Sequence, residues 1–133
     1  MPITVSWHDD EENILIWQVE GNWTIEEFYS AVTDTRALSE QSPGGNHVIV
    51  NASAMASRPR GNLLPHFRNA LANVKLEMVV YVKARGGSKF IEILVNMVFR
   101  TTTKLGVKRF RYAKTVEEAV AMLDIAPAAK MAG

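Results

Sequence analysis

The chain has 133 residues, 47% apolar and 22% charged, which fits one globular domain long enough to enclose a core. It contains no cysteine, so disulfides, thiolate zinc sites and cysteine nucleophiles are excluded. The formal net charge is +1, yet residues 1–57 hold nine acids against Arg36, and residues 58–114 hold thirteen bases against Glu77 and Glu92. Such asymmetry marks either an anion-binding face or two halves that neutralise each other in the fold.

Ile3-Thr4-Val5-Ser6-Trp7 alternates apolar and polar residues, as a half-buried strand does. No charged segment leads into an apolar run here, so no secretory signal is read and a cytoplasmic location is the default expectation. His8 to Asn13 is an acidic turn, and Ile14 to Glu20 is the returning strand of a hairpin. Thr24-Ile25-Glu26-Glu27 has capping-box spacing, with Phe28, Tyr29 and Val32 continuing at helical spacing to about Glu40. Ser42-Pro43-Gly44-Gly45-Asn46 breaks the chain before a second buried strand, His47 to Ala52. Ser53 to Asn62 reads as a loop of small residues. A helix is predicted from about Asn62, with Pro65 tolerated in its first turn and Phe67, Leu71 and Val74 on its core side.

Met78 to Val82 is a run of β-branched and aromatic residues without alternation, which suits a strand covered on both faces. Gly86-Gly87 permits a sharp reversal, and Ser88 is placed to cap a helix from about Lys89 to Thr102. Its apolar positions, among them Phe90, Leu94, Met97 and Val98, cover more than one stripe, and Glu92, Asn96 and Arg100 form a narrow polar edge. The helix is therefore either buried on two sides in its own domain or turned towards a partner, a lipid or a membrane surface. It is too short and too interrupted to span a bilayer. Gly106 stands at a C-cap-like place after it. Val107 to Tyr112 alternates apolar with basic residues, as an edge strand should. Thr115-Val116-Glu117-Glu118 repeats the capping-box pattern for a last helix.

The order ββαβαβαβα predicts a single-domain α/β sandwich over residues 1–126, followed by a flexible tail at 127–133. The sheet is expected to be mainly parallel, with about five strands, an antiparallel N-terminal edge strand and about four helices. This order resembles the STAS-like family of anti-sigma-factor antagonists and the related lipid-carrier-like proteins. The resemblance rests also on a strand ending in Asn51-Ala52-Ser53, the strand-to-helix step from Ala84 to Phe90, and the closing Thr115-Val116-Glu117-Glu118-Ala119. It implies a fold and a non-enzymatic habit. The Asp-Ser-Ser/Thr-Gly phosphorylation motif of the family is absent: the corresponding loop reads Ser53-Ala54-Met55-Ala56-Ser57-Arg58-Pro59-Arg60-Gly61, with Ser57 the nearest hydroxyl.

In a parallel α/β sheet, ligands sit where strand C-termini meet helix N-termini. Two loops should reach that edge, and Ser57, Arg58, Arg60, Arg85, Ser88 and Lys89 form a candidate rim for a phosphate or carboxylate. The same residues also read as caps and solvated arginines. Gly-Gly-Ser-Lys lacks the spacing of a P-loop, His8, His47 and His66 lack ligand spacing, and there is no nucleophile elbow. No catalytic residue, metal site or cofactor is assigned. The basic segment has few exposed-looking aromatic residues between its charges, which argues against a stacking platform for single-stranded nucleic acid, and no nucleic-acid partner is expected. The expected function is a regulatory module that self-associates or binds a protein through Phe90, Leu94, Met97 and Val98. The alternatives are carriage of an acidic lipid or small amphiphilic anion, and an enzyme acting on a small acidic metabolite.

Overall fold

Ile14-Leu15-Ile16-Trp17 and Met78-Val79-Val80-Tyr81-Val82 lack polar alternation because the strands they form are covered on both faces. The computed structural model describes residues 3–8, 13–41, 47–57, 61–83, 90–101 and 106–123. Strands β1 (Ile3–Trp7), β2 (Ile14–Asn22), β3 (His47–Ser57), β4 (Leu76–Val82) and β5 (Val107–Ala113) form one five-stranded sheet in chain order. β1 runs antiparallel to β2, and the remaining pairings are parallel. Helices α1 (Ile25–Gln41), α2 (Leu64–Ala72) and α3 (Phe90–Thr101) fill the crossovers, and α4 (116–123) follows β5. The expected α/β architecture and element order are those of the molecule. The expected tail at 127–133 lies outside the described residues.

Each parallel crossover advances by one strand, and crossovers of one hand then deliver their helices to one face. Accordingly Phe28 and Val32 of α1, Ala70 of α2 and Leu94 and Val95 of α3 share a core with Trp17, Val48 and Tyr81. Ile14, Ile16, Ile49, Val80 and Val82 point to the opposite face, where Ala119 and Leu123 of α4 meet them. Both predicted helix starts are capped. The Glu27 amide donates to Thr24 Oγ1 at 3.2 Å, and the Thr24 amide donates to Glu27 Oε1 at 3.0 Å. At α4 the Glu118 amide donates to Thr115 Oγ1 at 3.1 Å, but the Glu118 carboxylate accepts from the Lys114 amide at 3.3 Å, one residue further back.

Two local expectations change. The segment from Ser53, read as a loop, continues β3 to Ser57: past an irregularity in register, Ala54 pairs with Glu20, Met55 with Gly21 and Ser57 with Asn22. Its small residues lack strand propensity, and pairing with β2 overrides that lack. Gly106, read as a helix end, is held by backbone hydrogen bonds from its amide to Leu71 and from Leu76 to its carbonyl, both at 2.8 Å. A Cβ at this position would collide with the Val74 carbonyl oxygen.

Sequential strand order also decides where the charges lie. The acidic β1–β2–α1 unit sits at one side of the sheet and basic β5 forms the other edge. Among the described residues the ion pairs are Lys108–Glu77 at 3.5 Å and Arg109–Glu77 at 3.3 Å, both within the basic half.

Candidate functional site

The layer between the sheet and its three crossover helices is rich in aromatic residues. Phe28 stacks on Phe67 with centroids 5.2 Å apart and planes 10° apart, and meets Trp17 edge-on at 5.9 Å and Trp23 at 5.8 Å. A cavity of about 100 Å³ lies among these rings. Its walls come from every strand and from α1, α2 and α3, including Trp17, Phe28, Phe67, Ala70, Tyr81 and Val95.

No polar atom faces this cavity. The polar atoms next to it are engaged elsewhere: Trp17 Nε1 donates to Thr35 Oγ1 at 2.8 Å, and Thr35 Oγ1 donates to the Ala31 carbonyl at 2.8 Å. Trp23 Nε1 donates to Met55 Sδ at 3.0 Å. A water molecule inside would find no partner, so a cavity of this kind stays dry and accepts apolar groups.

Polar chemistry begins at the end of the cavity formed by the C-termini of β4 and β5. Tyr81 and Tyr112 are register partners there, and the Tyr112 hydroxyl donates to the Glu92 carbonyl oxygen at 3.5 Å. Both phenols are pushed up to about 12, first by burial and then by the negative charge of Glu92. They are therefore neutral hydrogen-bond donors throughout the physiological range. On the helical layer, Tyr29 of α1 and His66 of α2 are joined by a 2.7 Å hydrogen bond between the hydroxyl and Nδ1.

The structure divides the residues singled out from the sequence. Ser57 is the last residue of β3, while Arg58, Arg60, Arg85, Ser88 and Lys89 lie outside the described residues. Leu94 and Val98, read as partner-facing, are 7% and 0% exposed and belong to the interior of the chain. The reason is the stripe Ile91, Leu94, Val95 and Val98, spaced so that one side of α3 faces inward. Met97 is 44% exposed, as is Ile93 at 58%, four residues before it on the outer side of α3. Phe90 opens the helix, and its side chain is outside the described residues. Among the described residues, no group of three or more His, Asp or Glu side chains could hold a metal ion. No described helix is long and apolar enough to cross a membrane.

Phe28, Phe67 and Tyr81 are legible in the sequence as parts of helices and a buried strand, but a cavity among the aromatic residues is not. Its one signal is the density of Trp17, Trp23 and Phe28 across a strand end and a helix start, where smaller apolar residues would serve a core equally well. A scan against models of protein families finds no match for the chain, and no curated protein matches it.

Proposed function

We propose that the chain is a non-catalytic binding module whose ligand, or the apolar end of it, occupies the cavity between the sheet and α1–α3. The observation that carries this reading is the dry cavity of about 100 Å³, walled by side chains from three helices and all five strands. The pocket is partly open, and an apolar occupant would remove its apolar walls from water. The size suits a compact hydrocarbon group: an apolar cavity of about 150 Å³ is enough for benzene. A long acyl chain does not fit within it. Native mass spectrometry of the purified protein tests the reading for a retained ligand, and benzene titration followed by amide NMR tests it for an added one. Shifts confined to residues around Phe28, Phe67 and Val95 are expected. An unmodified mass together with no response to benzene rejects the proposal.

A second reading, self-association through α3, is favoured by a separate observation: Ile93 and Met97 are large apolar residues exposed one turn apart. Size-exclusion chromatography with light scattering at low and moderate salt tests it. A salt-insensitive dimer that Ile93→Glu converts to a monomer of unchanged stability supports this surface. A monomer at all concentrations rejects it.

A further inference from the structure

Resting on the cavity reading, we infer that the group held between the sheet and α1–α3 is an aromatic hydrocarbon ring, bound in preference to a saturated ring of similar size. Six of the chain's eleven aromatic residues, Trp17, Trp23, Phe28, Phe67, Tyr81 and Phe110, stand in the wall. They come from both layers: Trp17, Tyr81 and Phe110 from β2, β4 and β5, and Phe28 and Phe67 from α1 and α2. Among the described residues, the core on the opposite face of the same sheet is built from Ile, Val, Leu, Met and Ala alone. Covering this sheet therefore does not itself call for rings. An occupant of the cavity meets them on the sheet side and on the helix side.

The wall already shows the geometry that a further ring would adopt. Phe28 lies nearly parallel to Phe67 at 5.2 Å, and Trp17 meets it edge-on at 5.9 Å with the planes 72° apart. At such spacings rings stack with an offset, or the positive edge of one π-system attracts the negative face of the next. A ligand ring among them gains contacts of the same kind. A saturated ring has no such quadrupole and gains only from the apolar area it removes from water. Met55 adds to the selection, because a thioether in the wall makes favourable contacts with ring edges. No polar atom faces the space, and Trp17 and Trp23 donate their N–H groups to Thr35 and Met55. A hydroxyl or amine turned inward would therefore give up water for no partner. The selection rests on ring electronics, with no polar anchor.

Titration of the full chain with benzene, cyclopentane and cyclohexane, followed by amide NMR, tests the inference. Cyclohexane presents more apolar area than benzene, so area alone puts cyclohexane first, and cyclopentane controls for a cavity too small for it. Ring–ring contacts instead put benzene first. It is expected to bind about fivefold more tightly than either saturated ring, since each such contact is worth about two- to tenfold. Phe67→Leu removes a half-buried ring of the wall and should weaken benzene about fivefold while changing cyclopentane less than about twofold. Phe110→Leu makes the same comparison on the sheet side, should the first variant not fold. A saturated ring that binds as tightly as benzene overturns the inference and leaves the cavity reading intact, as does a preference for benzene that survives in both variants. Failure of all three probes rejects the inference, and together with an unmodified native mass it rejects the cavity reading too.

Discussion

The two faces of the sheet are built from alternate residues of the same strands, yet they are packed in different ways. On the α4 face, Ile14, Ile16, Ile49, Val80 and Val82 meet Ala119 and Leu123, and these small and branched side chains close against each other. On the α1–α3 face, Trp17, Trp23, Phe28, Phe67 and Tyr81 carry the packing, and a void remains among them. Burial alone therefore does not distinguish a structural core from a binding site. The shape of the buried side chains differs between the faces: branched aliphatics make up most of the described α4 face, whereas planar rings between the sheet and α1–α3 surround the cavity.

This contrast can be broken or sharpened by substitution. The largest effect is expected at the seam where β5 joins the end of α2. Gly106→Ala forces a Cβ into the Val74 carbonyl oxygen, and urea denaturation should show a loss on the order of 4 kcal/mol or no folded protein. On the aliphatic face, Ile49→Ala should cost about 3 kcal/mol by the same assay, because a fully buried side chain is removed. A loss below about 1 kcal/mol would show that this face is loosely packed too.

On the aromatic face the direction reverses for a residue that adds volume. Thr35→Val first probes the polar support of that layer. It leaves the buried Trp17 indole N–H without its acceptor and should cost about 2 kcal/mol. Ala70→Leu, on the cavity wall, should instead stabilise by about 1 kcal/mol and abolish benzene binding, since the new side chain fills existing space. In a filled core the same change is destabilising by about 1–3 kcal/mol, so the sign of the result decides whether the void is real space.

A last effect appears only in alkali. Tyr81 and Tyr112 hold their protons to about 12 in the folded state against 10.0 for the model phenol. Between those values the folded chain binds more protons than the unfolded one. The stabilisation is complete below pH 10 and lost as pH rises towards 12. Phenolate absorbance with and without Glu92→Gln measures it, and the variant should titrate at lower pH.

Much of the fold was legible because its signals are short-range. The Thr24–Glu27 box lies within one helical turn, and the same is true of Thr115 and the Glu118 amide it accepts from. The apolar runs in β2 and β4 declare strands covered on both sides. The site was less legible. On α3, Leu94 and Val98 are as apolar as Ile93 and Met97, so periodicity alone does not say which pair faces the sheet. The basic rim drawn from Arg58 to Lys89 rested on loop composition, whereas the cavity is lined by apolar and aromatic side chains such as Trp17, Phe28, Phe67 and Tyr81.

By itself the sequence determined the element order, the helix caps, the parallel sheet and the absence of cysteine chemistry, all of which follow from patterns within a few residues or from composition. Only the tertiary structure decided which side of α3 is core, why Gly106 has no side chain, and where the acidic and basic halves lie. It also decided that the rings of Trp17, Phe28, Phe67 and Tyr81, far apart in the chain, would surround a cavity. Whether side chains brought together from distant positions fill the space between them depends on how whole layers fit, and no local pattern encodes that fit.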